Sequence, residues 1–194
     1  QKIDVVIAVN LSAHDIAHDG LPSFITQLLT DHQLKAKDLM LEITESAVME
    51  NPNQAIQVLE QFKSLGIDLS IDDFGTGYSS LSQLKSMPVD ELKIDKSFIL
   101  NLENSKDDQV IVQSTIQLGH NIGLRIVAEG VETQAAWHLL EQWGCDKLQG
   151  YFISRPVPAD DFSAWYPHYE ASEFCQNQVA MNEEFARKTE SLGK

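Results

Sequence analysis

Basic residues are scarce in this chain: 14 Lys and Arg stand against 29 Asp and Glu, a formal net charge of -15. Binding to a DNA or RNA polymer relies on Lys and Arg to neutralise phosphates, so this balance argues against such a partner. A nucleotide ligand stays open, because carboxylates gather cations and those cations hold phosphates. Cysteine is almost absent. Cys145 and Cys175 are isolated thiols without CxxC or Cys/His ligand spacing, which excludes a disulfide framework and fits a reduced cytosolic setting. His14, His18, His32, His120, His138 and His168 show no ligand spacing around a shared site. No apolar run approaches the roughly 20 residues of a spanning helix, and no signal peptide is visible. The domain is therefore expected in the cytoplasm, with any membrane anchor carried by upstream sequence. Gln1 stands directly before a strand-like run, with no Met and no lead-in, so the chain is expected to be a fragment.

What is present suffices for one domain: 43% of the 194 residues are hydrophobic, enough for a substantial core. One pattern recurs along them. Val5 to Val9 is a β-branched run ending at Asn10, and Leu39-Met40-Leu41 leads to Glu42. Ile67 to Ile71 leads to Asp72-Asp73, and Glu91-Leu92 to Lys93-Ile94-Asp95. Leu124 to Ala128 leads to Glu129, and Lys147-Leu148 to Gln149. Each run is short and mainly apolar, as in strands buried on both faces of a parallel sheet.

Helical spacing fills the gaps. Phe24, Ile25, Leu28 and Leu29 follow Pro22, and Ala55, Ile56, Leu59 and Phe62 follow Asn53. A third face joins Val110, Ile111, Thr115, Ile116 and Leu118, and a fourth Ala135, Ala136, Leu139 and Leu140. Strands alternating with helices predict βαβ units and an α/β fold. The six strands carry polar residues at their C-terminal ends, which in a (β/α)8 TIM-type barrel form the catalytic face. A closed barrel has eight strands, so about two would precede Gln1. An open doubly wound sheet is the alternative, which the pattern favours less. The expected division is a barrel over residues 1–166 and a helical extension over 167–194, where Phe174, Gln178, Met181 and Phe185 fall at helical spacing.

Asn10, Glu42, Asp72, Asp73 and Glu129 are all oxygen donors, the ligands that hard cations such as Mg²⁺ and Mn²⁺ select. Adjacent carboxylates repel unless a cation offsets them. Successive strand residues face opposite ways, so Asp72 and Asp73 share a site only if the strand ends there; the glycines of Phe74-Gly75-Thr76-Gly77 would permit that break. Two metals about 4 Å apart, bridged by one carboxylate, would activate water and stabilise a phosphodiester transition state. Lys93 beside them would hold the water or neutralise charge on phosphate. Glu132 is expected to begin the following helix, where a carboxylate suits the dipole. Each residue has a plainer reading: Asn10 as a strand-end hydrogen-bonder, the glutamates as caps, the Asp72-Asp73 turn as a capped loop, Lys93 as a surface lysine. Cys145, beside Trp143, reads as core.

The motifs carry a resemblance. "NLS" at Asn10–Ser12, "LEITES" at Leu41–Ser46, "DDFGTGYSSL" at Asp72–Leu81, "MPVDELKIDKSF" at Met87–Phe98, "VAEGVET" at Val127–Thr133 and "GCDKLQGYFISRP" at Gly144–Pro156 resemble, in order, the signatures of EAL domains. The resemblance implies a (β/α)8-type barrel that cleaves cyclic di-GMP to linear pGpG with two Mg²⁺ or Mn²⁺ ions. It implies Asn10, Glu42, Asp72 and Asp73 as metal ligands, with Asp72 bridging; Lys93 would position the water and Glu129 complete the site. Gln149 would contact water or phosphate, Glu132 would support the ligands from behind, and Tyr151 and Pro156 would border the nucleotide. Glu45 would anchor a mobile loop, Gly75, Thr76, Gly77, Tyr78, Ser79 and Ser80, that couples metal binding to homodimer formation. An upstream GGDEF or sensor domain is a further implied partner. The family's Glu-Ala-Leu motif and the arginine after it have no counterpart in this chain, which therefore lacks one ligand. The piece alone is expected to be inactive, or to cover its edges by oligomerisation or strand exchange. A receptor that binds cyclic di-GMP without cleaving it, or a regulatory barrel, is the alternative function.

Overall fold

The computed structural model describes residues 5–18, 20–77 and 81–170. Tyr78, Ser79, Ser80, Cys175 and the Phe174–Phe185 helical pattern lie outside the described residues. The chain forms two compact units, Gln1–Ile153 and Ser154–Lys194. The first begins with β1 (Ile7–Leu11), α1 (Ala13–Ile16), α2 (Leu21–Asp31) and β2 (Leu39–Thr44). It continues through α3 (Glu45–Glu50), α4 (Pro52–Ser64), β3 (Asp68–Phe74), α5 (Leu81–Ser86) and β4 (Glu91–Ile94). It ends with α6 (Lys96–Ile99), α7 (Lys106–Asn121), β5 (Arg125–Ala128), α8 (Gln134–Gln142) and β6 (Lys147–Leu148). The described part of the second unit contains α9 (Ala159–Glu170), on which Trp165 and Tyr169 stack with ring centroids 4.8 Å apart. Among the described residues no helix is long and apolar enough to cross a membrane.

All six strands are parallel and pair in chain order, β1-β2-β3-β4-β5-β6. Sequential order contains no point where the winding reverses, so the doubly wound alternative falls. The register adds a stagger. Register partners lead from Asn10, late in β1, through Glu42, Ser70 and Glu91 to Arg125, the first residue of β5. Such a steady slip is the shear that lets tilted strands curl into a barrel wall.

Alternation along these strands gives the wall two unlike faces. Leu41, Ile43, Leu69, Ile71, Leu92, Ile94, Ile126 and Ala128 are at most 1% exposed. They share one core with Val58, Leu59 and Phe62 of α4, Val112 and Ile116 of α7, and Trp137 and Leu140 of α8. The other face carries Asn10, Glu42, Ser70, Asp72, Glu91, Lys93, Arg125 and Lys147. This face is polar, where the runs had suggested strands apolar on both sides; Glu42, Ser70, Glu91 and Lys93 are buried at its middle, while Asn10, Arg125 and Lys147 toward its edges are exposed. Its lower part is held by ion pairs: Glu91 meets Lys147 at 2.7 Å and Arg125 at 3.6 Å, and Arg125 meets Asp68 at 3.0 Å. Burying Glu91 without those partners would leave an uncompensated charge.

Capping follows the sequence. Asn51, Ser105 and Thr133 each accept a hydrogen bond from a backbone N–H in the first turn of α4, α7 and α8, and Pro52 opens α4, where its missing N–H costs nothing. Two helical faces differ from expectation. On α7, Val112, Ile116 and Gly119 are buried while Val110 and Ile111 are exposed; this stripe keeps the i, i+4, i+7 spacing but is rotated along the helix. On α2, Ile25 is buried, while Phe24 and Leu28 face outward. Cys145 is core, as expected, its thiol directed at the Ile126 and Lys147 carbonyls and pushed up to about 12 by burial.

Phe62 is fully buried in the α4–sheet core. Phe62→Ala should cost about 3–5 kcal/mol, checked by urea unfolding followed through circular dichroism.

Candidate metal-binding active site

The top of the polar face gathers acid around one cation. Lys93, on β4, is 4% exposed, not a surface lysine. Its Nζ lies 3.0 Å from Glu42 Oε1, 3.3 Å from Asp72 Oδ1 and 2.6 Å from Glu129 Oε1. These carboxylates come from β2, β3 and the residue after β5. Asp73 joins from beside Asp72: carboxylate oxygens of Asp72, Asp73 and Glu129 lie within 4.8 Å of one another. Asn10 is the register partner of Glu42 on β1. It lines an open cleft of about 530 Å³ with Ser12, Asp15, Thr44, Ser46, Glu50, Asp72 and Asp73.

Two successive aspartates reach one site although the strand does not end between them. β3 runs on to Phe74, and its register against β4 shifts between Ile71 and Phe74. Asp73 takes φ 55°, a left-handed conformation that aspartate tolerates better than most residues. This bulge, not a strand end, cancels the alternation. The Asp73 N–H donates to Asp72 Oδ1 at 2.9 Å, and Thr76 Oγ1 donates to the Asp73 carbonyl at 2.8 Å.

The electrostatics are unbalanced. Burial raises the Asp73 carboxyl above the usual range, and the charges of Asp72 and Asp95 push the same way. Burial also holds Glu129 high, against the hydrogen bond and charge of Lys93. Burial works against the Lys93 charge, yet hydrogen bonds to Glu129 and Glu42 leave its ammonium harder to deprotonate than an ordinary lysine. One ammonium thus faces four carboxylates, Glu42, Asp72, Asp73 and Glu129. Oxygen-only donors with surplus negative charge fit hard divalent cations.

The family model for the EAL domain matches residues 1–156. The chain belongs to the EAL-domain family. It is 48% identical over 158 residues to the bifunctional diguanylate cyclase/cyclic di-GMP phosphodiesterase MucR of Pseudomonas aeruginosa, covering 81% of this chain and 23% of that protein. It is 43% identical over 152 residues to the cyclic di-GMP phosphodiesterase NbdA of the same species, covering 78% of this chain and 19% of that one. The chain thus spans about a fifth to a quarter of these curated relatives. The MucR phosphodiesterase in complex with c-di-GMP superposes with a TM-score of 0.78 at 47% identity, over 81% of this chain and 64% of that one. The manganese and cyclic di-GMP complex of BlrP1 from Klebsiella pneumoniae gives 0.75 at 32% identity, over 79% and 40%. The six strands are thus an arc of the EAL TIM-type barrel.

The EAL signature residues beyond the carboxylate ring fall into two groups. Glu45 is 3% exposed, and its Oε2 accepts from the N–H of Gly75 at 3.1 Å and of Gly77 at 3.3 Å. It therefore grips the start of the glycine loop. Gln149, Glu132 and Tyr151 have exposed side chains. Glu132 does not begin a helix, because α8 starts at Gln134 behind the Thr133 cap. Pro156 lies in the second compact unit. Asp95 was missed as a site residue. It caps α6 close to Asp73, whose carboxyl is raised by burial and by the Asp95 charge; although burial opposes its own charge, hydrogen bonds from Ser97 hold its carboxyl low. Its signal was present: Asp95 is two residues past Lys93 and begins an Asp-Lys-Ser cap.

Metal ligands bind as deprotonated groups, so at Asp73 and Glu129, both held high by burial, protons would compete with a bound metal from a higher pH than at ordinary carboxylates. The rise in melting temperature on adding Mn²⁺ should therefore shrink as pH falls from about 8 to about 5, measured by differential scanning fluorimetry; a rise independent of pH would contradict these assignments.

Proposed function

We propose that the chain is the catalytic part of a metal-dependent phosphodiesterase that hydrolyses cyclic di-GMP to linear pGpG. The observation that carries the reading is the buried Lys93 ammonium within 3.3 Å of Glu42, Asp72 and Glu129, with Asp73 completing the carboxylate cluster. The names of MucR and NbdA support the substrate. A GGDEF or sensor domain elsewhere in the protein, and assembly as a homodimer, belong to the same proposal.

Asp72, Asp73 and Glu129, with Glu42 and Asn10 on the neighbouring strands, would hold Mg²⁺ or Mn²⁺, which offsets phosphate charge and lowers the pKa of water. The cleft from Asn10 to Asp73 seats the phosphodiester beside these groups. Lys93 keeps its proton and presents positive charge to a phosphate oxygen as negative charge develops. Glu129, held above the usual carboxylate range by burial, accepts the proton of the attacking water. The water hydroxyl bonds to one phosphorus, the bond from that phosphorus to the ribose 3′ oxygen breaks, and a proton ends on that oxygen. One such cleavage opens the ring and leaves pGpG.

The intact protein with Mg²⁺ or Mn²⁺ should convert cyclic di-GMP to pGpG, followed by chromatography. Asp72→Ala should abolish turnover, and Lys93→Ala should lower kcat by about 10²–10³. Near-normal turnover by Asp72→Ala would remove the metal assignment. Tight calorimetric binding without product would make the protein a receptor instead.

A further inference from the structure

Two glycines in left-handed conformations stand next to the clustered carboxylates. Gly75, φ 100°, comes two residues after Asp73, and Gly130, φ 71°, directly after Glu129. Neither has room for a side chain. A Cβ on Gly75 would lie 2.8 Å from Cε2 and 3.2 Å from Cζ of Phe98. On Gly130 it would lie 2.6 Å from Cβ of Lys96 and 3.3 Å from its Cα. Both obstacles belong to the single turn α6, which follows the strand bearing Lys93.

That turn is itself fixed. Asp95 caps it, accepting from the Ser97 N–H at 3.0 Å, and Ile99 anchors it at 1% exposure. The Asp95 carboxylate faces that of Asp73, and burial together with its charge raises the Asp73 carboxyl. One short helix therefore presses on both chain segments that carry Asp72, Asp73 and Glu129, on one side through the rigid Phe98 ring. Glu45 in turn holds the Gly75 N–H at 3.1 Å. Gly75, at the end of the Asp72–Gly75 turn, thus meets both Glu45 and Phe98.

We propose that α6 is a spacer that sets the distance between the Asp72-Asp73 turn and the Glu129 turn, with Phe98 as the positioning residue that tunes divalent-cation affinity. The inference rests on the metal reading of the cluster. Hard cations tolerate little error in ligand position, so supports behind the ligands weigh on affinity about as heavily as outer hydrogen-bond partners do. Packing against a backbone glycine is an unyielding form of support, because no side chain intervenes to absorb a shift. Lys96 supports Gly130 with its Cβ, so its exposed amine is dispensable.

The test is calorimetric binding of Mn²⁺ to the intact protein without substrate, paired with melting temperatures. Phe98→Ala should weaken Mn²⁺ binding about tenfold, while Lys96→Ala, which keeps the Cβ, should stay within about twofold of wild type. A folded Phe98→Ala that melts lower but binds Mn²⁺ like wild type would show a merely structural role and overturn the proposal. If that variant fails to fold, Phe98→Leu decides by the same criterion, with binding weakened about threefold expected and unchanged binding overturning it. A wild-type protein that binds no Mn²⁺ overturns the metal reading together with the spacer; wild-type binding with unaltered Phe98 variants overturns the spacer alone.

Discussion

The buried ammonium of Lys93 lies 2.6 to 3.3 Å from carboxylate oxygens supplied by three separate stretches of chain. Taking one cation and several anions out of water is costly, and the interior repays that only when the pairing is close and the surplus charge finds a further partner. Lys93 provides the pairing for Glu42, Asp72 and Glu129 but leaves Asp73 facing the charges of Asp72 and Asp95. The surplus sets the cluster apart from a matched structural ion pair. Lower on the same face, Glu91 meets both Lys147 and Arg125, so charge there is matched. The barrel wall thus carries one balanced and one acid-rich layer.

Whether those groups meet depends on the stagger of the strands. Glu42 lies on the register row that ends at Arg125; Asp72 and Lys93 stand two residues beyond that row, and Glu129 four residues beyond it. In a flat sheet these offsets would spread the carboxylates apart along the strands. In a sheared wall they bring them level, because each successive strand starts further down. The bulge at Asp72-Asp73 adds the one acid that alternation would have turned away. Its left-handed residue carries a strain of about 1–3 kcal/mol, sustained by Glu45, Thr76 and Phe98 around it.

Much of this was legible before any fold was known. The six strands were placed within about three residues at each end, since short apolar runs ending in polar tips are a strong pattern. The ring members Glu42, Asp72, Asp73, Lys93 and Glu129 were readable from residue type and from their place at strand tips. Three things were not. Lys93 in isolation looks like a surface residue, and only its neighbours on β2, β3 and β5 bury it. The buried face of α7 was misplaced because Val110 and Ile111 are as apolar as Val112; which stripe faces inward is settled by the sheet beneath. Asp95 was passed over because its role depends on the adjacent strand bringing Asp73 within reach.

Composition and local pattern determined the elements, the hard-oxygen chemistry of the site and its place at the C-terminal ends of the strands, because each depends on residue type and short spacing. The signature motifs determined the family for the same reason. Tertiary structure decided which face of each strand is polar, how Asp72 and Asp73 share one side, and that α6 backs both halves of the cluster. Those outcomes rest on register, shear and close contact between segments far apart in the chain, and no local stretch of sequence contains them.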